Sequence, residues 1–212
     1  MLDLSLDHLI LGITDLSEGQ KEFEEKTGIS LQFGGKHPFG THNALCSLEN
    51  GLYLEVIAPQ DVVNPATGVF SPGAGVDELR CFGWSLRTNS IDLLASKFSA
   101  AGIAHSAIGS GSRKTTEGNE LRWKTLFLLK DGQPTLQPFF IEWEKDSLHP
   151  SMSTPMGCTL NSLDFSFNRD QIPDSQFFPK DDRLQWLPGD AFNHGFFKQL
   201  RLNTPKGLIT FN

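Results

Sequence analysis

The sequence predicts an α+β fold in which two β-α-β-β-β units pair around a cavity and a further β segment follows. Three observations predict it. A helix signal recurs with constant spacing, opening at Asp15 and Asn89 and stopping at Gly28 and Gly102. Two turn dipeptides, Asn50-Gly51 and Asp131-Gly132, hold the same place in each copy. Each leads into a strand with one acidic residue, Tyr53-Leu54-Glu55-Val56 and Phe140-Ile141-Glu142-Trp143. Two matched halves imply a site between them, reached by Glu55 and Glu142.

The first strand is predicted over Leu6 to Ile13, with Leu9, Leu11 and Ile13 on one face and His8 and Ile10 on the other. Asp15 followed by Glu18 reads as a capping box, Leu16 and Phe23 form an apolar stripe, and Gly28 supplies a left-handed stop. Strands follow at Ile29 to Phe33, Thr41 to Leu48 and Leu52 to Ala58, the last two joined by a tight turn. Residues 60 to 78, rich in Gly, Pro and Ala, read as a connector between halves.

The second copy opens with a strand from Cys81 to Thr88 and a helix carrying Ile91, Leu94 and Phe98 on one stripe. Ile103 to Ile108 is predicted as a short strand and Gly109 to Gly118 as a polar, flexible loop. Leu121 to Leu129 and Phe139 to Trp143 complete the unit, with Gln133 to Pro138 as an insertion. The domain reading is therefore two tandem units in residues 1–149, about 1–59 and 79–149, with 150–212 as a partial β extension. In that extension Leu160 to Phe167 is a strand, and Leu200 to Asn203 with Leu208 to Phe211 is a hairpin. Asp170 to His194 shows no regular pattern, and residues 168–198 carry no readable role.

A chain of 212 residues can bury a substantial core. Seventeen Phe against one Tyr supply apolar area without hydroxyls to satisfy, although Phe177-Phe178 and Phe196-Phe197 sit in polar surroundings and are weaker core candidates. A formal charge of −7 argues against nonspecific nucleic-acid binding. No apolar run approaches the roughly 20 residues of a membrane span, and the first residues lack a secretion signal. Cys46, Cys81 and Cys158, without metal-ligand spacing, fit buried free thiols in a reducing, cytoplasmic setting. A homodimer is compatible with pairing of the two units across chains as well as within one.

Strand alternation places Glu55 on one face with Tyr53 and Ile57, and helices covering the opposite face would leave His8, Glu55 and Glu142 pointing into a cavity. Buried carboxylates demand a partner, and a divalent cation could supply one, since imidazole and carboxylate suit Zn, Fe, Ni, Co or Mn. Pairing of Glu55 or Glu142 with Arg122, Lys124 or Arg87 is the structural alternative. Asn43 is a candidate pocket hydrogen-bonder, Arg122 a candidate for an anionic substrate group, and Tyr53 and Trp123 candidates for the pocket wall. His37 and His42 flank a Gly-Pro turn and are expected at the surface or behind the site.

The paired units, with Leu6-Asp7-His8-Leu9-Ile10-Leu11, Gly34-Gly35-Lys36-His37-Pro38, Gly40-Thr41-His42-Asn43-Ala44-Leu45 and Tyr53-Leu54-Glu55-Val56-Ile57-Ala58-Pro59, resemble the glyoxalase-like domain branch of the vicinal-oxygen-chelate superfamily. That superfamily includes glyoxalase I, extradiol ring-cleaving dioxygenases and antibiotic-binding resistance proteins. The resemblance extends to Phe139-Phe140-Ile141-Glu142-Trp143, His149-Pro150 and the Asn203 to Gly207 turn. It implies metal ligands at His8, Glu55 and Glu142, with the fourth position falling at or beside Phe82, which cannot ligate.

The implied function is a lyase or isomerase acting on a small carbonyl or vicinal-oxygen compound, with Glu55 or Glu142 moving a proton and one divalent metal assisting. The alternatives are a metal-free small-molecule binding protein, which Phe82 favours, and an iron-dependent ring-cleaving dioxygenase, which needs two His and one carboxylate at one point.

Overall fold

The computed structural model describes residues 2–49, 51–63, 68–72, 75–115, 117–167, 177–188 and 197–212. Asn50, Phe196 and most of 168–196 lie outside the described residues.

The first unit runs β1 (Leu4–Gly12), α1 (Leu16–Thr27), β2 (Gln32–Lys36), β3 (Thr41–Glu49) and β4 (Leu52–Pro59). The second runs β5 (Arg80–Thr88), α2 (Ile91–Ala100), β6 (Gly109–Lys114), β7 (Glu120–Lys130) and β8 (Gln133–Trp143). Together their strands form one eight-stranded sheet in the order β2-β3-β4-β1-β5-β8-β7-β6. Each unit pairs its first strand with its last in parallel, and the two first strands, β1 and β5, meet antiparallel. The fold is α+β.

Local chemistry accounts for most element boundaries. The Asp15 carboxylate accepts from the amides of Ser17 and Glu18, and Gly28 ends α1 in the left-handed region at φ 79°. The β7–β8 turn places Asp131 and Gly132 at φ 50° and 76°, the double positive φ of a type I′ hairpin. The second helix begins one residue later than the Asn89 signal, with Ser90 at the N-cap position, and ends at Ala100 before Gly102 turns left-handed.

Three sequence expectations are corrected here. Ile103 to Ile108 forms only an isolated bridge between His105 and Leu128, whereas the polar stretch Gly109–Lys114 is the edge strand β6. Gly111 pairs with Trp123, and a Cβ there would meet the Trp123 indole at 2.5 Å, so a large ring replaces the alternating apolar residues that usually mark a strand. The expected insertion Gln133 to Pro138 is a continuous extension of β8, with Leu136 buried.

The extension forms a second sheet from β9 (Thr159–Phe167), β10 (Leu184–Pro188), β11 (Phe197–Thr204) and β12 (Gly207–Phe211), ordered β10-β9-β11-β12. It packs on the helix-bearing face of the large sheet. Phe211 stacks on Phe23 of α1, Phe165 lies 4.6 Å from Trp84 of β5, and Phe177 meets Phe98 of α2. Phe177 and Phe197 are therefore core, contrary to the expectation, because Phe197 opens β11 and Phe177 packs on Phe98 of α2. Most buried side chains, including Leu9, Leu11, Leu54, Val56, Trp84 and Leu86, belong to this shared core. The opposite face holds a small apolar cluster of Ile10, Ile57, Leu136 and Phe139, and beside it a cavity. Among the described residues, no helix is long and apolar enough to cross a membrane.

Candidate active site

The cavity has a volume of about 190 Å³ and opens on the concave face of the large sheet. Its polar end comes from the first unit: His8 of β1, Asn43 of β3, and Tyr53 and Glu55 of β4, joined by His37. Its walls are aromatic. Trp123, Phe127, Phe139 and Trp143 come from β7 and β8, and Phe39 and Phe70 from the two loops above them. Phe70, from the connector, packs against Phe39, Phe127 and Phe139 at 5.0 to 5.6 Å.

His8 is held from behind by Asp7. The β1–β5 register slips between Leu6 and His8, a bulge that lets adjacent side chains act together instead of facing opposite ways. Asp7 Oδ1 lies 2.6 Å from His8 Nδ1, while its Oδ2 takes the Trp143 indole N–H and lies 3.0 Å from His149 Nε2. Burial pushes the Asp7 carboxyl up, but the hydrogen bonds and charges of His149 and His8 outweigh it and hold the group well below the usual carboxylate range. An ionised carboxylate only accepts, so His8 donates from Nδ1, and Nε2 is the nitrogen left facing Glu55 and the cavity.

Glu55 Oε2 stands 3.7 Å from His8 Nε2, and the Asn43 amide donates to Glu55 Oε1 at 2.8 Å. Asn43 also lies 3.4 Å from His37 Nε2, with His37 Nδ1 on Thr41 Oγ1 at 2.8 Å. Burial lowers His37 to about 4, with attraction to Glu55 opposing and repulsion from Arg113 adding to the effect. His37 is thus neutral near pH 7 and positions Asn43. Tyr53 stacks on His8 at 4.7 Å, and burial, with the charges of Asp7 and Glu55, raises its hydroxyl far above the ordinary phenol range. It stays a neutral phenol.

The predicted site residues divide cleanly. His8, Asn43, Tyr53, Glu55 and Trp123 come together in the cavity. Glu142 does not join them: on β8 the cavity face belongs to Phe139, Ile141 and Trp143, and alternation turns Glu142 to the helix side. There its carboxylate accepts the Ile91 amide at 2.6 Å and caps α2. Aligning the two acidic strands by their sequence likeness misplaced the second by one residue, enough to reverse its face. Arg122 is exposed and pairs with Glu120, since its neighbour Trp123 takes the inward position. Neither Arg122, Lys124 nor Arg87 pairs with Glu55; Arg87 instead approaches Asp7 at 3.9 Å.

The three-ligand metal set is consequently not assembled. His8 and Glu55 remain from it, β5 offers Gly83 and Ser85 where it crosses Ile10 and His8, and Phe82 packs beside the apolar cluster. Among the described residues, no three His, Cys, Asp or Glu side chains gather closely enough to hold an ion. The donors do not fit a protein-held metal, and the dioxygenase pattern of two His and one carboxylate fails with them.

Sequence reasoning missed Asp7, His149 and Arg113. A carboxylate inside an apolar strand was the available signal for Asp7, but strict alternation would have sent it away from His8. Arg113 was hidden in a segment taken for a loop.

The Glyoxalase-like domain family model matches residues 6–172. A comparison with functionally curated proteins finds no match. A hypothetical protein from Staphylococcus aureus shares the fold at a TM-score of 0.64 and 18% identity, covering 99% of this chain and 85% of that one. Methylmalonyl-CoA epimerases from Streptomyces coelicolor and Mycobacterium tuberculosis align at TM-scores of 0.42 and 0.43, with 16% and 17% identity. They cover 65% and 66% of this chain and 95% and 86% of theirs, a likeness too low to carry an argument about activity. The family model takes in both β-α-β-β-β units, and the chain belongs to the glyoxalase-like domain family.

Proposed function

We propose that this protein is an isomerase or lyase that moves a proton at a carbon beside a carbonyl, using its own side chains. The observation that carries the reading is the buried Asp7–His8 pair facing Glu55 across 3.7 Å inside an aromatic-walled cavity. His8 Nε2 takes the proton from carbon, and the electron pair left behind moves onto the carbonyl oxygen as an enolate. Asp7 stabilises the imidazolium that forms and keeps the ring in the reactive tautomer. Glu55, steered by Asn43 and adjacent to His8, takes the proton on from the imidazolium, and its delivery to the opposite face of the same carbon completes an isomerisation with no net loss. Expulsion of a group from the neighbouring carbon gives the lyase outcome. The aromatic walls keep water away from the reacting atoms.

The test is deuterium wash-in. Incubating the protein in D2O with a panel of small aryl-substituted oxo-acids should label the acidic carbon of at least one, read by proton NMR. His8→Gln and Glu55→Gln should each slow labelling at least a hundredfold, in the range general acid–base groups contribute. No labelling with any member, or labelling unaffected by His8→Gln, would reject the proposal. A binding role without turnover is the second reading, favoured by the extent of aromatic wall that Phe39, Phe70, Trp123, Phe127, Phe139 and Trp143 provide.

A further inference from the structure

Arg113 is the most exceptional side chain in the cavity. It lies on β6, 7% exposed, and lines the cavity together with Trp123 and Thr125, while also bordering a smaller crevice with Phe33, Gly34 and Leu121. One nitrogen, Nη1, donates to the Gly34 carbonyl of β2, the strand at the other edge of the sheet. That bond joins the two edges of the curled sheet around the cavity and anchors one end of the guanidinium. The next residue, Gly35, lets β2 and β6 approach, since a Cβ there would lie 2.7 Å from the Lys114 carbonyl oxygen and 3.4 Å from Arg113 Nη1. Yet among the described residues no carboxylate comes within ion-pair distance of Arg113. Its charge also disfavours protonation of His37, after the larger effect of burial.

A buried guanidinium without a counter-charge is expensive, and a carbonyl satisfies one donor out of five. Closing the sheet edge would need only a neutral donor. A permanent cation anchored through one nitrogen, with its remaining donors beside aromatic walls, suits a ligand carboxylate, which a guanidinium fork binds through two parallel hydrogen bonds. The walls fit the remainder of such a ligand. Trp123, Phe127, Phe139 and Phe70 offer ring faces and edges, and a void of roughly 150 Å³ already accepts benzene. Glu55, the other charge here, is engaged by Asn43 and His8 on the first unit, leaving Arg113 on the second to receive the anion.

We infer that the cavity selects small aromatic carboxylates, with the carboxylate on Arg113 and the ring between Trp123 and Phe139. This deepens the proposed proton-transfer function and rests on the same cavity being the ligand site. The carbon beside the ring or carboxylate is then the one offered to His8 and Glu55.

The test is calorimetric titration of the intact chain with benzoate and phenylacetate against the neutral amides benzamide and phenylacetamide. The carboxylates should bind at least tenfold more tightly than their amides, and Arg113→Met should erase that preference. Arg113→Lys, which keeps the charge without the fork, should cut the preference at least threefold and serves as the deciding variant if Arg113→Met does not fold. Equal binding of acid and amide, no binding of either carboxylate, or an unchanged preference in both variants would overturn the inference. Benzoate has no hydrogen for His8 to remove, so its binding succeeds or fails independently of deuterium wash-in. Carboxylate binding without wash-in would leave this inference standing while the catalytic reading falls.

Discussion

At the scale of single residues, the site depends on neutral and charged groups being kept apart by burial. His37 and Asp7 illustrate the two directions. The folded-state value of His37 is lowered to about 4 from 6.5, so the unfolded chain takes up this proton first as pH falls. Stability is therefore whole above about 6.5 and declines towards 4, by up to about 3 kcal/mol for a difference of this size. Asp7 acts lower down: its depressed carboxyl contributes stability above its ordinary value of 3.8 that is lost on further acidification. Urea denaturation of the wild type and His37→Gln, at about pH 7 and about pH 4.5, should show a smaller acid loss in the variant, by about 2 kcal/mol. Identical losses would mean that His37 is not buried neutral. At this scale the sequence was legible for His8 and Glu55, whose faces follow from simple alternation. Asp7 escaped because a bulge breaks the alternation at that point, and no turn residue announces it.

At the scale of elements, α2 and β8 show how one residue of register changes a role. The Ser90 side chain makes no capping hydrogen bond, and the exposed amide of Ile91 is taken by Glu142 from the neighbouring strand. A negative charge there also meets the positive end of the helix dipole. Glu142→Ala should lower stability by about 1 kcal/mol while leaving the carboxylate affinity of the cavity within twofold of the wild type. A large loss of ligand binding with unchanged stability would return Glu142 to the site. The amphipathic stripes of α1 and the alternation of β1 and β4 were readable because one side of each faces apolar core. The strand β6 was not, since Gly-Ser-Gly-Ser-Arg-Lys has no apolar period and is set in place by the Trp123 ring and the Arg113 bond to Gly34.

At the scale of the whole molecule, two sheets share one core. Trp84 is fully buried, and it contacts Phe165 of the small sheet, so the site-bearing sheet is backed by the extension. Phe165→Ala should cost about 3–5 kcal/mol, and should shift tryptophan fluorescence and far-ultraviolet circular dichroism together, as a single transition. Two separate transitions would mean the extension folds apart from the large sheet. The repeat of a β-α-β-β-β unit made the large sheet readable from sequence. The depth of the extension's contribution was not, because its aromatic residues are spaced among polar ones, and only the pairing of β9 with β10 and β11 turns them inward.

The central claim is that Asp7 fixes His8 with its proton on Nδ1 and its Nε2 lone pair facing Glu55 and the cavity. Long-range nitrogen–proton NMR of 15N-histidine-labelled protein at neutral pH measures that tautomer directly. The account predicts a protonated Nδ1 for His8, shifting towards the Nε2-protonated form in Asp7→Asn. A wild-type His8 carrying its proton on Nε2, or a tautomer indifferent to Asp7→Asn, would contradict it.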